Sequence, residues 1–246
     1  MPRYRLDIEY DGSPFVGWQK QANGPSVQGA LDAALGAFAG GHTVPRGAGR
    51  TDTGVHALQQ VAHVDLERAW EPDKLRQALN HHLLPAPISV LAAAKVSDVF
   101  DARFSATQRH YLYRILVRPS RPALDHKRVW WLRHRLDAAA MHRAAQSLVG
   151  HHDFTTFRAA ACQANSPMRT LDQIAVAASG DEISLTVSAR SFLHHQVRSI
   201  AGSLKLVGEG QWPEARIAEV LAAKDRSQCA PLAPPAGLYL AGVDYE

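Results

Sequence analysis

Cysteine is scarce in this chain. Cys162 and Cys229 are the only two among 246 residues, and they stand far apart with no metal-ligand spacing. They read as reduced, packed thiols of a cytoplasmic protein. No apolar run approaches the ~18 residues that a membrane span needs. The first residues, Met1-Pro2-Arg3-Tyr4-Arg5, place no apolar run after their charges, so no secretory signal is expected. The histidine doublets His81-His82, His151-His152 and His194-His195 lack the i, i+4 spacing with a neighbouring Glu of a helical zinc site, and no metal is expected. The glycines around residue 50 are not followed by Gly-Lys-Ser/Thr, which excludes a P-loop.

What is present is ordinary for a globular protein: 46% hydrophobic and 20% charged residues. The length suits one large domain or two small ones, each with a core. The charge is uneven. Residues 103–135 hold nine Lys or Arg and one acid, Asp125, a net +8, whereas the whole chain carries +4. A concentrated basic segment on a nearly neutral body is the footprint of a polyanionic partner.

The periodicity predicts a half-buried strand over residues 4–10, with Tyr4, Leu6, Ile8 and Tyr10 on one face. Ser26 is placed to cap a helix whose Val27, Leu31, Ala34, Leu35 and Phe38 share a face, and Gly40-Gly41 to stop it. Strands are expected at 43–46, 58–66 and 88–96, with a helix from Pro72 between the last two. The order β-α-β-β-α-β is that of a split βαβ unit. The second half gives strands at 111–117, 174–178, 183–189 and 237–245. Its helices are expected at 136–149, 192–207 and 213–223, and a long loop over 150–170.

Three stretches carry chemistry. The first, Gly47-Ala48-Gly49-Arg50-Thr51-Asp52-Thr53-Gly54-Val55-His56-Ala57, is a glycine-rich polar loop with one carboxylate, Asp52. Read alone, it is a tight turn that lets another molecule's backbone come close. A single carboxylate can act as nucleophile or stabilise an oxocarbenium-like centre, whereas a hydrolase would want a second. The second stretch is Arg109-His110-Tyr111-Leu112-Tyr113, an aromatic strand suited either to core packing or to stacking on a flipped-out base. The third is Phe192-Leu193-His194-His195-Gln196-Val197-Arg198-Ser199-Ile200-Ala201-Gly202.

Together these strings resemble the GRTDxGVHA, R-x-Y-x-Y and FLxHQVRxIxG motifs of the tRNA pseudouridine synthase A family, which modifies the anticodon stem-loop. Asp153-Phe154-Thr155-Thr156-Phe157-Arg158 and Gly237-Leu238-Tyr239-Leu240 are similar to two further family segments, so the resemblance covers essentially the whole chain. His110 departs from it, standing where arginine is common. The resemblance implies an α+β fold of two ferredoxin-like lobes, 1–103 and 104–246, with sheets joined across a central basic cleft. It implies isomerisation of tRNA uridines 38, 39 and 40, without a cofactor, by a cytoplasmic homodimer. Asp52 would be the catalytic carboxylate and Arg198 its ion partner. Tyr111 would stack on the target uracil and Leu240 line its pocket. Arg109, Arg50 and the basic segment would meet the RNA. Two rivals stay open on the residues alone: an RNA-binding protein that uses Asp52 only in a turn, and a glycosylase that releases free uracil.

Overall fold

A computed structural model describes residues 1–40 and 43–246. The described residues are mixed α and β, with five α-helices. They divide into two compact units: residues 1–107 with 239–246, and residues 108–238.

In the first unit, β1 (Arg3–Tyr10) alternates as its sequence dictates, and Tyr4, Leu6 and Ile8 have no accessible surface. Helix α1 (Val27–Ala39) starts where Ser26 accepts a hydrogen bond from Gly29 N–H, a cap worth about 1 kcal/mol. Gly40 follows its last residue; Gly41 lies outside the described residues. The strand expected at 43–46 is shorter and later: β2 is Arg46–Gly47. β3 (His56–Asp65) starts two residues before its expected position. Helix α2 (Pro72–Leu83) buries Leu75, Leu79 and Leu83, and β4 (Ile88–Val96) falls where expected. Fully burying each such side chain contributes about 1.5–3 kcal/mol. β1 lies between β3 and β4 and is antiparallel to both.

The β1–β3 register carries a bulge. Ile8 faces Gln60, but Tyr10 faces Ala57, so three steps on β3 match two on β1. Cross-strand partners share a face. Gln60, opposite Ile8, lies on the side of Ile8 and Tyr10 in regular register, and the bulge turns Ala57, an odd number of residues away, to that side as well.

In the second unit, β5 (Ala106–Val117) is longer than the alternation suggests, and a short β6 (Trp130–Leu132) pairs with it in parallel. Helix α3 (Ala138–Ala145) begins at the Asp137 cap, two residues later than the apolar stripe implies. The expected loop over 150–170 contains β7 (Gly150–Asp153) and β8 (Met168–Leu171), joined as a two-stranded antiparallel sheet. β9 (Gln173–Ser179) and β10 (Glu182–Ala189) form the expected hairpin, and β10 lies between β9 and β5. Helices α4 (Gln196–Gly208) and α5 (Arg216–Ala223) both start later than expected. For α4 the cause is local: His195 takes a left-handed φ of 65°, and Gln196 Oε1 accepts from Leu193 N–H.

The last strand, β11 (Leu238–Tyr245), follows the second half in chain order. Its backbone pairs in parallel with β3, placing Tyr239 opposite His56 and Leu240 opposite Ala57.

Candidate active site

The Asp52 loop leaves β2 and enters β3. Ala48 N–H donates to Val61 C=O at 2.8 Å, so the loop begins pinned to the strand it will join. A turn follows: Val55 N–H donates to Asp52 C=O at 3.1 Å, and Gly54 has φ 76°. A type II turn needs that positive φ at its third position, which glycine adopts without strain. Asp52 thus stands at the first corner of a backbone-bonded turn, half-buried.

A second segment, residues 15–18, clamps this turn. Trp18 N–H donates to Thr51 C=O at 3.0 Å, Gly54 N–H to Phe15 C=O at 3.3 Å, and Thr53 Oγ1 to Val16 C=O at 3.0 Å. Gly17 has φ 114°, and a Cβ there would lie 2.5 Å from Thr51 oxygen. Sequence reasoning missed this clamp, although Gly17-Trp18 between a strand end and a helix cap was a readable signal of close approach. The Tyr10 hydroxyl meets Thr51 Oγ1 at 2.8 Å. Burial pushes the Tyr10 pKa up to about 12, against the effect of its hydrogen bonds to Thr51 and Gln60, so the phenol stays neutral.

His56 is buried, and its ring stacks on Tyr239 with centroids 4.7 Å apart. Its Nδ1 lies 3.0 Å from Gly12 N and 3.2 Å from Asp11 Oδ1. The backbone N–H has its proton to give, so Nδ1 accepts from it. Arg50 is exposed, between Gly49 and the buried Thr51, whereas Leu240 is fully buried.

The second unit holds the other expected site residues. Arg109, Tyr111 and Tyr113 alternate along β5 and share a face. Arg109 is 8% exposed and donates to Arg190 C=O at 2.5 Å. Tyr111 is half-buried, with its ring edge-on to Phe192 at 5.0 Å. Tyr113 is core: it has no accessible surface and its hydroxyl donates to Pro234 C=O at 2.7 Å. Burial holds its pKa well above the usual tyrosine value, although the Arg198 charge works the other way. Arg198, in the first turn of α4, donates from Nε to Ala233 C=O at 2.8 Å. The left-handed His195 just before it is the kind of backbone strain that surrounding structure must maintain.

The basic segment is only partly a surface. Arg114 forms a two-point pair with Glu182 (2.8 Å each) and lies 3.4 Å from Asp125, whereas Arg121, Lys127, Arg128, Arg133 and Arg135 are exposed.

Within the first unit, Arg50 and Asp52 are thus displayed on one clamped loop. Within the second, Arg109 and Tyr111 share a strand face, and Arg198 is held by the segment at Ala233. The chain matches the tRNA pseudouridine synthase family over residues 8–105 and 144–246. It is 59% identical to tRNA pseudouridine synthase A of Agrobacterium fabrum, across all of this chain and 93% of that protein. It is 60% identical to that of Afipia carboxidovorans and 56% identical to that of Parvibaculum lavamentivorans, across the full length of both partners in each comparison. This chain therefore belongs to the tRNA pseudouridine synthase family.

Proposed function

We propose that the chain acts on the anticodon stem-loop of tRNA, at positions 38, 39 and 40, with Asp52 as its catalytic carboxylate. Its family membership makes it an isomerase that converts uridine to pseudouridine in tRNA. In that reaction the N1–C1′ bond breaks, the uracil turns, C5 bonds to C1′, the C5 proton leaves, and N1 takes up a proton. Atoms and electrons balance within the nucleotide, so the proposal includes no cofactor. The Asp52 carboxylate serves as nucleophile or as the counter-charge of an oxocarbenium-like sugar. Tyr111 stacks on the extruded uracil and replaces the stacking that the base loses in leaving the stem. Arg198 is the ion partner of Asp52, a role in which a guanidinium fixes a carboxylate's charge and direction. Leu240 lines the base pocket. Arg50 and the exposed cations of 103–135 take the phosphates, and the buried Arg109 contributes to substrate binding from the strand face that carries Tyr111.

The observation that supports this reading best is the Asp52 turn itself, half-buried and held by backbone bonds from residues 15–18. A site that must not reorganise during reaction is built in this way. The proposal extends to two ferredoxin-like lobes divided near residue 103, to a homodimer, and to action in the cytoplasm. Mapping pseudouridine in tRNA from cells with and without this protein tests the target positions. Loss of the modification at 38, 39 and 40 is the expected result; an unchanged anticodon arm with losses elsewhere would overturn the assignment.

A further inference from the structure

The Asp52 loop has an inner support outside the family motifs. Gln60 has no accessible surface, yet it is an amide. Its Nε2 donates to Gly49 C=O at 2.7 Å, and its Oε1 accepts from Gly49 N–H at 3.4 Å. The same side chain hydrogen-bonds the Tyr10 hydroxyl, which in turn meets Thr51 Oγ1. The bonds run from Gly49 through Gln60 and Tyr10 to Thr51, and the backbone of residues 49–51 closes the ring. The β1–β3 register makes this possible: Gln60 pairs with Ile8, so it lies on the face of the sheet that Tyr10 shares.

Burying an amide costs free energy unless its groups are bonded. An apolar side chain of the same length would fill the space without that cost. It would give up the two-point hold on Gly49. We infer that Gln60 and Tyr10 are positioning residues for the reaction: they fix the peptide on both sides of Arg50, so that Gly49 and Thr51 face inward while Arg50 and Asp52 keep set directions toward the RNA. The inference rests on the reading of Asp52 as the catalytic carboxylate.

The test is single-turnover conversion of a uridine-containing anticodon stem-loop by Gln60→Met, Gln60→Glu, Tyr10→Phe and Asp52→Asn, with RNA affinity and thermal unfolding measured on each. Gln60→Met should lower kcat by about 10-fold to 100-fold, the size of effect expected from misplacing a reacting group, while KM and RNA affinity hold. Gln60→Glu supplies a readout that packing alone would not move. Burial keeps its carboxyl protonated over a wider range, and the protonated form can donate to Gly49 C=O and accept from Gly49 N–H. The ionised form cannot donate. The ratio of kcat for Gln60→Glu to that for Gln60→Met should therefore rise as pH falls, and titration of Asp52 cancels in the ratio. If Gln60→Met does not fold, Tyr10→Phe carries the test with an expected loss of kcat at unchanged affinity. Native kcat in the folded Gln60 and Tyr10 variants, with Asp52→Asn inactive, overturns this inference alone. An active Asp52→Asn overturns the reading on which it rests.

Discussion

The Asp52 loop and the 118–135 stretch are both polar, exposed in part, and assigned to the same RNA, but they are made differently. In the loop, the backbone does the holding. Thr51, Asp52, Thr53 and Gly54 are each bonded through main-chain or hydroxyl groups to residues 15–18 or to Val55. In the stretch, long cationic side chains do the reaching, from a backbone tied by Arg118 N–H to Leu132 C=O, by Arg128 N–H to Asp125 C=O and by the pairing of β6 with β5. Arg133 lies over the Trp131 ring at 5.0 Å, and Arg121 and Arg135 extend from exposed positions. Chemistry depends on angles and needs the first construction. Phosphate attraction tolerates many geometries and is served by the second. The contrast predicts that changes to Asp52 and to the groups that hold its turn alter rate at constant affinity, and that changes in the stretch alter affinity and its salt dependence at constant rate.

Asp52→Asn is the largest expected break. It keeps size and turn preference, so the fold should hold, and RNA affinity should stay level or rise slightly as a negative charge near phosphate disappears. Pseudouridine formation in a single-turnover assay should fall below detection; appreciable conversion would falsify the mechanism. Tyr111→Ala comes next. Stacking is worth about 1–3 kcal/mol per base, so productive binding should weaken by roughly one or two orders of magnitude, whereas Tyr111→Phe keeps the ring. A Phe variant that binds normally but barely turns over would assign the hydroxyl a chemical part. Native activity in the Ala variant would reduce Tyr111 to packing against Phe192.

Arg118 and Arg121, changed together to Ala, should weaken tRNA binding and leave kcat alone. For every phosphate no longer neutralised, the slope of log K against log salt should fall in magnitude by about 0.7–0.9. An unchanged slope places both arginines outside the interface. The smallest effect concerns His63, which stands on β3 opposite Arg46. It is buried and its Nδ1 accepts from Ala102 N–H at 3.0 Å. Burial lowers its pKa from 6.5, with Arg3 and Arg46 pushing the same way and Asp101 and Asp65 opposing. The folded state thus favours the neutral ring. Stability should be full above the ordinary histidine range and decline as pH falls through about 6.5 toward the lowered value, because the unfolded chain takes up the proton first. Urea unfolding at pH 7.5 and 5.5 should show a smaller difference in His63→Gln, whose amide oxygen can still accept from Ala102. Equal differences in both proteins would assign the pH dependence to other groups.

Local rules were readable in the sequence where one element decided its own fate. The alternation of β1, the Ser26 cap and Pro72 at the start of α2 all have causes within a few residues. The sites that escaped depend on partners far along the chain. β7 has no apolar side chain and β8 has them only at its ends, Met168 and Leu171, with His151 opposite Thr170 and His152 opposite Arg169, so neither shows an apolar period in its own sequence. The Asp52 loop was legible as a motif, but its supports were not. Gln60 follows the period of Ala62 and Val64 on the buried face, but nothing in that period says that its amide bonds Gly49, and nothing near Tyr10 says that its hydroxyl meets Thr51. Tyr113 reads as a companion of Tyr111, sharing its strand face, and is core because its hydroxyl finds Pro234 in a distant segment.

The pairing of β11 with β3 also sets an order of events during synthesis. Tyr239 and Leu240, which flank His56 and Ala57, leave the ribosome only after all of residues 108–238. The strand that emerges from the Asp52 loop therefore waits for its neighbour while the whole second unit is made. Pairings of such wide separation in sequence form late, since closing the intervening chain has to come first. A ribosome-bound or prematurely ended chain would hold the motif residues and lack the strand beside them. The loop that carries Asp52 thus gains its neighbouring strand only once the second unit lies behind it in the chain.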